Sequence, residues 1–211
     1  KDAVVAGEDL TLIIRKEIIP HWHTYWMNPG DSGAETRFKF NTPQGFATGK
    51  VSWPAPSAIP FGPLINYGYE DEVLFTVPVT VPDTLAPDLT DVTFNVDAEW
   101  LVCMDICIPE FGDASITLPV AESAITINED MVERAQNSLP QSDHNLVARF
   151  NYDEAAKSFT LSVDGLVETN IEKQNTHFFP KEWGVILAAS PQAVKAVEQG
   201  SLTLTTARDT R

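Results

Sequence analysis

Residues 92–109 have the sequence VTFNVDAEWLVCMDICIP. Apolar and polar residues alternate from Val92 to Cys103, which is the period of a half-buried β-strand. The even-numbered residues from 92 to 102 are all apolar, so their face is predicted to be buried, whereas the odd-numbered residues from 93 to 103 are mostly polar. Cys103 is therefore expected to leave the strand on the side away from the core, where a buried, inert cysteine is not expected.

Cys103 and Cys107 are the two cysteines of the 211-residue chain, in the spacing C-x3-C. A tight hairpin connection would place them opposite each other on two antiparallel strands, close enough for a disulfide. A single helical turn would also bring them together. Ile106 fits the hairpin badly, because a three-residue loop usually has glycine in the left-handed position. The turn geometry therefore stays open, although the pairing is expected in either case.

A disulfide that closes so short a loop removes only roughly 2 kcal/mol of unfolded-state entropy in the chain-entropy model. The disulfide would therefore contribute little to the stability of the fold, and its place on a polar face favours redox chemistry. Two unrelated thiols or a passive bridge are the alternatives. The acidic neighbours, such as Asp105 and Glu110, should raise the thiol pKa values, which suits a carrier that reacts only with a docked partner.

The composition excludes several classes of protein. Acidic residues outnumber basic residues by 30 to 14, for a net charge of −16, which argues against nucleic-acid binding and against docking on anionic membranes. No apolar run approaches the ~20 residues that span a bilayer. The first residues contain neither an initiator methionine nor an apolar signal core, so the chain is expected to be a mature or excised piece of a larger protein.

Short β-rich runs separated by proline and glycine turns predict a mainly β protein. The expected fold is an immunoglobulin-like β-sandwich followed by a second, smaller β-rich domain. Asn128 is predicted to cap a helix over about residues 129–138, and a second helix is predicted over Pro191–Gln199, stopped by Gly200. The domain boundary is placed between the strand that ends at Val120 and the helix that begins after Asn128. Residues 1–125 then carry the cysteine pair, and residues 126–211 form the second domain.

No cofactor and no metal site are predicted. His21 and His23 fall on one face of a strand, a spacing that copper or zinc can use, but no third ligand is evident in the sequence. The favoured interpretation is a pair of structural histidines in an aromatic strand.

Three segments resemble one branch of the DsbD-type protein-disulfide reductases, the ScsB branch, named for suppression of copper sensitivity. They are HWHTYWMNPGDSG at residues 21–33, WLVCMDICIP at 100–109, and HFFP at 177–180 leading to AASPQ at 188–192. The resemblance implies a periplasmic immunoglobulin-like region of a protein that also has a membrane domain and a C-terminal thioredoxin-like domain. Electrons would cross the membrane and reach Cys103 and Cys107, which match the redox pair of the family.

The same resemblance implies a role for each cysteine and a partner. Cys107 would attack and Cys103 would resolve, and the partner would be a periplasmic thioredoxin-like or disulfide-isomerase-like protein. The family also has a cap loop that shields the cysteines, and one segment of this chain matches it best, with Gly68 as its hinge. The predicted cap-loop residues are Leu64, Ile65, Asn66, Tyr67, Gly68 and Tyr69.

The function predicted from the sequence is therefore periplasmic thiol-disulfide electron transfer. A membrane-embedded reductase domain would supply the electrons, and a periplasmic disulfide protein would accept them. The alternative is a non-catalytic periplasmic binding or copper-chaperone module whose disulfide is structural.

Overall fold

The structure is a computed structural model that describes residues 1–166, 176–198 and 200–209. Its strands are β1 (Leu10–Glu17), β2 (Thr24–Gly30), β3 (Arg37–Asn41), β4 (Ala47–Thr48), β5 (Ser57–Phe61), β6 (Leu64–Tyr69), β7 (Glu72–Thr80), β8 (Asp91–Cys103), β9 (Cys107–Pro119), β10 (Val147–Asp153), β11 (Ser158–Asp164), β12 (Ala193–Glu198) and β13 (Ser201–Ala207). The helix α1 spans Glu129–Ser138. The prediction of a mainly β protein is confirmed.

The chain divides into two compact units. The first comprises Lys1–Met27, Ala34–Ser57 and Gly68–Pro140, and the second comprises Asn28–Gly33, Ala58–Tyr67 and Gln141–Arg211. Strands β2 and β6 thus each contribute residues to both units. The boundary between residues 125 and 126 stays a prediction.

The first unit contains an immunoglobulin-like β-sandwich. One sheet has the strand order β1-β7-β4 and the other has the order β3-β8-β9, and their neighbouring strands are antiparallel. Between them lies an apolar core, in which burying each large side chain contributes roughly 1.5–3 kcal/mol. The core residues are Val4, Leu10, Phe46, Val79, Val81, Val92, Phe94 and Leu118. The alternation of β8 sets this packing, since Val92, Phe94 and Val96 are buried as predicted.

A further sheet has the order β2-β6-β5. At Gly68 in β6 the neighbouring backbone of β2 comes so close that an added Cβ would lie 2.0 Å from the carbonyl oxygen of Thr24. Only glycine permits this approach. Gly68 is therefore a packing residue of the sheet, and its role as a hinge stays a prediction.

The second unit contains an antiparallel sheet of order β10-β11-β13-β12. Phe159, Leu161 and Ile186 form its small core, and the ring of Phe178 stacks on Phe159 with centroids 5.7 Å apart.

The helix predicted over Pro191–Gln199 is wrong for residues 191–198, and Gln199 lies outside the described residues. Residues Ala193–Glu198 form strand β12, which pairs with β13 from Glu198 opposite Ser201. Gly200, at φ +76°, belongs to the hairpin connection and does not end a helix. Pairing with β13 outweighs the weak capping signal, and the pairing register shifts between Val194 and Ala196.

The first predicted helix is confirmed as α1, but its capping differs. Asn128 lies in the left-handed region with φ 54°, and its side chain makes no cap hydrogen bond. Its backbone carbonyl instead accepts from the amides of Met131 and Val132 at 2.9 and 3.0 Å. Asparagine tolerates this conformation better than most residues.

Limited proteolysis should cleave first within Pro140–Asn145. This segment follows α1, is exposed and contains no helix or strand, so a protease can engage its backbone without opening a sheet. A broad-specificity protease followed by intact-mass analysis locates the cut. Resistance of this segment, together with a single cooperative melting transition, would contradict the prediction of two separately folding domains.

Candidate functional site

The two cysteines lie at the tip of the β8–β9 hairpin. The antiparallel register runs from Asp91 opposite Pro119 to Cys103 opposite Cys107, so the hairpin alternative of the sequence analysis is the correct one. The amide of Met104 donates to the carbonyl oxygen of Ile106 at 3.1 Å within the connection. None of residues 104–106 has a positive φ, which is why Ile106 is tolerated without glycine.

Cys103 and Cys107 form a disulfide, with their Cα atoms 4.2 Å apart. The two residues differ sharply in access to solvent: Cys103 has 0% of its surface exposed, whereas Cys107 is exposed. Of the two sulfurs, a docking partner would therefore meet that of Cys107 first.

The burial of Cys103 corrects the expectation that it lies away from the core. Its parity in β8 is as predicted, but that face is covered at the end of the strand. The amide of Cys103 donates to the carbonyl of His23 and the amide of His23 donates to the carbonyl of Cys103, both at 2.9 Å. This pairing brings the segment that begins β2 against the cysteine.

The side chain of Tyr25 contacts both sulfurs. Its hydroxyl donates a hydrogen bond to Cys103 Sγ at 2.8 Å and lies 3.5 Å from Cys107 Sγ. The residue is 0% exposed, and its ring packs edge-on against His23 with centroids 5.2 Å apart. Tyr25 is not among the site residues predicted from the sequence, although its place two residues after His23 in HWHTYW puts both on one strand face.

Polar and aromatic side chains from neighbouring strands contact one another near the disulfide. Lys16 Nζ lies 4.1 Å from the centroid of the Trp100 ring and donates to Thr24 Oγ1 at 3.0 Å. Thr24 Oγ1 donates to the carbonyl of Leu101, and Trp100 Nε1 donates to Glu110 Oε2 at 2.9 Å. Burial lowers the pKa of Lys16 to about 7, against the opposing attraction of Glu110. These contacts tie β1, β2, β8 and β9 together.

Large apolar side chains are exposed at and beside the hairpin connection. They are Met104, Ile106 and Ile108, here called the apolar tip. Exposed apolar residues in a group commonly mark a surface that a partner covers.

The predicted cap-loop residues Leu64–Tyr69 form strand β6, so the prediction of a loop is wrong. Tyr67 and Tyr69 are buried. The Tyr69 hydroxyl donates to the Pro54 carbonyl at 2.9 Å, and the Tyr67 ring packs edge-on against Phe179 with centroids 5.0 Å apart. That this segment shields the cysteines stays a prediction.

His21 and His23 differ in their surroundings. His21 is exposed with φ 73°, whereas His23 is buried and its pKa is lowered by that burial. Among the residues that the structure describes, no three histidine, cysteine, aspartate or glutamate side chains are grouped to hold a metal ion. In the same part of the chain, no helix is both long and apolar enough to cross a membrane.

Comparison with known proteins places this site in a family. Residues 1–119, which include both cysteines, match the family model described as thiol:disulfide interchange protein DsbD, N-terminal. The chain is also similar to the crystal structure of the N-terminal periplasmic domain of ScsB from Proteus mirabilis, with 21% sequence identity and a TM-score of 0.67. That match covers 96% of this chain and 76% of the other. No curated protein matches the chain.

Proposed function

This chain belongs to the family of DsbD N-terminal domains, and from this we propose that its Cys103–Cys107 pair passes electrons to the disulfide of a periplasmic partner protein. The observation that carries the proposal is the asymmetric disulfide at the hairpin tip, with Cys107 exposed and Cys103 buried. Such a pair offers one sulfur for attack and keeps the other for resolution.

In the reduced protein, the Cys107 thiolate attacks one sulfur of the partner's disulfide. The partner's second sulfur leaves as a thiolate, and a mixed disulfide joins Cys107 to the partner. The Cys103 thiolate then attacks Cys107 Sγ, which restores the Cys103–Cys107 bond and releases the partner's remaining sulfur as a thiolate. Two electrons have moved to the partner. A membrane-embedded reductase domain of the same full-length protein would return the pair to the dithiol state.

The partner proposed is a thioredoxin-like or disulfide-isomerase-like protein of the periplasm. Support comes from the family and from the apolar tip around Cys107, which offers a contact surface next to the reactive sulfur. The same family supports a periplasmic location and a further membrane domain and C-terminal thioredoxin-like domain in the full-length protein.

The rival function is a periplasmic binding or copper-chaperone module in which the disulfide is structural. Full burial of Cys103 is the observation that favours it, because a structural bridge is commonly shielded on at least one side.

The reduction potential separates the two functions. We expect the pair to have a potential above about −300 mV, since structural disulfides typically lie below that value and exchanging ones above it. The protein is equilibrated in buffers that differ in the ratio of reduced to oxidised dithiothreitol and is then quenched with an alkylating reagent. Mass spectrometry measures the fraction of protein that is alkylated. A potential well below about −300 mV would contradict electron transfer and favour the structural bridge.

A further inference from the structure

We propose that Tyr25 is a catalytic residue of the exchange: its hydroxyl stabilises the thiolate that forms on Cys103 when the disulfide opens, and so directs attack to Cys107. This inference rests on the proposed function and adds a residue to its chemistry.

The position of the hydroxyl distinguishes the two sulfurs. The oxygen lies 2.8 Å from Cys103 Sγ, where it donates a hydrogen bond, and 3.5 Å from Cys107 Sγ. Both Tyr25 and Cys103 are 0% exposed, so bulk water does not reach a thiolate on Cys103. A buried charge without a partner is costly, and the stabilising hydrogen bond must come from the protein.

Opening of the Cys103–Cys107 disulfide needs one incoming thiol and no other reactant. An incoming thiolate forms a bond to Cys107 Sγ, and the bond between Cys107 Sγ and Cys103 Sγ breaks. The electron pair of that bond goes to Cys103 Sγ, which accepts the Tyr25 hydrogen bond as a thiolate. Because a better leaving group departs faster, the hydrogen bond favours attack at Cys107 over attack at Cys103. In the reverse direction, it maintains the Cys103 thiolate that resolves the mixed disulfide.

Other ionisable groups of the elements around Cys103 do not take this role. Burial lowers the pKa of His23 and so disfavours a positive charge on its ring. Lys16 Nζ is engaged by Thr24 and the Trp100 ring. Asp105 in the connection and Glu110 on β9 carry negative charge, which opposes a thiolate. The Tyr25 hydroxyl, in contrast, donates a hydrogen bond to Cys103 Sγ.

The test measures the pKa of each thiol in proteins that contain one cysteine. Thiolate absorbance near ~240 nm is titrated in Cys107→Ser, with and without Tyr25→Phe. We expect Tyr25→Phe to raise the pKa of Cys103 by about one unit, a tenfold loss of thiolate. In Cys103→Ser, the same substitution should change the Cys107 thiolate fraction less than about threefold. Tyr69→Phe is the matched control, because it removes a buried hydroxyl that bonds the Pro54 carbonyl.

A second readout uses the oxidised protein with both cysteines. Reduction by dithiothreitol should be about tenfold slower in Tyr25→Phe and unchanged in Tyr69→Phe, with melting temperatures confirming that both fold. An unchanged Cys103 pKa, or equal shifts at both cysteines, would overturn the role of Tyr25. These measurements need no partner protein. A reduction potential in the range of structural disulfides, together with a Cys103 pKa that Tyr25→Phe raises, would instead refute the proposed function alone.

Discussion

Cys103→Ser is expected to form a stable mixed disulfide through Cys107, whereas Cys107→Ser is expected to form one at least about a hundredfold more slowly. The reason is access: Cys107 is exposed at the hairpin tip, and Cys103 reacts only when the protein opens locally. Ellman's reagent serves as the probe, because each attack releases a coloured thiolate and leaves an adduct whose mass identifies it. Both variants should lose all reduction of a protein disulfide, since neither can complete the two-step exchange.

The unsubstituted, reduced protein is the control for this experiment. It should release two equivalents of the coloured thiolate and keep no adduct, because Cys103 resolves the adduct on Cys107. Cys103→Ser should release one equivalent and retain the adduct. Equal reaction rates for the two single-cysteine variants would refute Cys107 as the attacking residue.

Gly68→Ala is expected to lower the free energy of unfolding by about 3 kcal/mol, the upper range for overpacking. The added Cβ would lie 2.0 Å from the Thr24 carbonyl oxygen and 3.3 Å from the Tyr25 Cα, and both are backbone atoms that move only with strand β2. Denaturant unfolding followed by tryptophan fluorescence measures the change. Because Tyr25 lies at the point of contact, its hydrogen bond to Cys103 should weaken as well.

Gly112→Ala is the matched control for Gly68→Ala. Gly112 is also a strand residue, but the nearest atom to its added Cβ is the far end of the Trp100 side chain, at 3.0 Å. That side chain can shift by a few tenths of an ångström, so the loss of stability should stay below about 1 kcal/mol. A Gly68→Ala protein as stable as Gly112→Ala would show that β2 and β6 tolerate separation at this point.

The β8–β9 hairpin shows how much could be predicted from the sequence. The even-numbered residues of β8 are apolar, and Val92, Phe94 and Val96 are buried as that pattern requires. The C-x3-C spacing restricted the pairing of Cys103 to a hairpin or a helical turn, and the hairpin is observed. Together with HWHTYW, these residues also identified the family to which the chain belongs.

Two segments show where local signals were insufficient. Pro191–Gln199 has a capping serine before it and a glycine after it, yet pairing with β13 makes Ala193–Glu198 a strand. Leu64–Tyr69 contains polar and glycine residues typical of a loop, yet it lies between β2 and β5 as a strand. In both cases the segment forms a strand because it pairs with another strand, and the local sequence does not encode that pairing.

The sequence by itself determined the strand period, the cysteine spacing and the family, because each depends on residues that are close together along the chain. Only the tertiary structure decided that Cys103 is buried while Cys107 is exposed. That asymmetry comes from β2 and the residue before it: His23 pairs with Cys103, and Tyr25 in β2 brings its hydroxyl to a sulfur 78 positions away in the sequence. Strand parity specifies which way a side chain points, but what covers it depends on distant segments that fold against it.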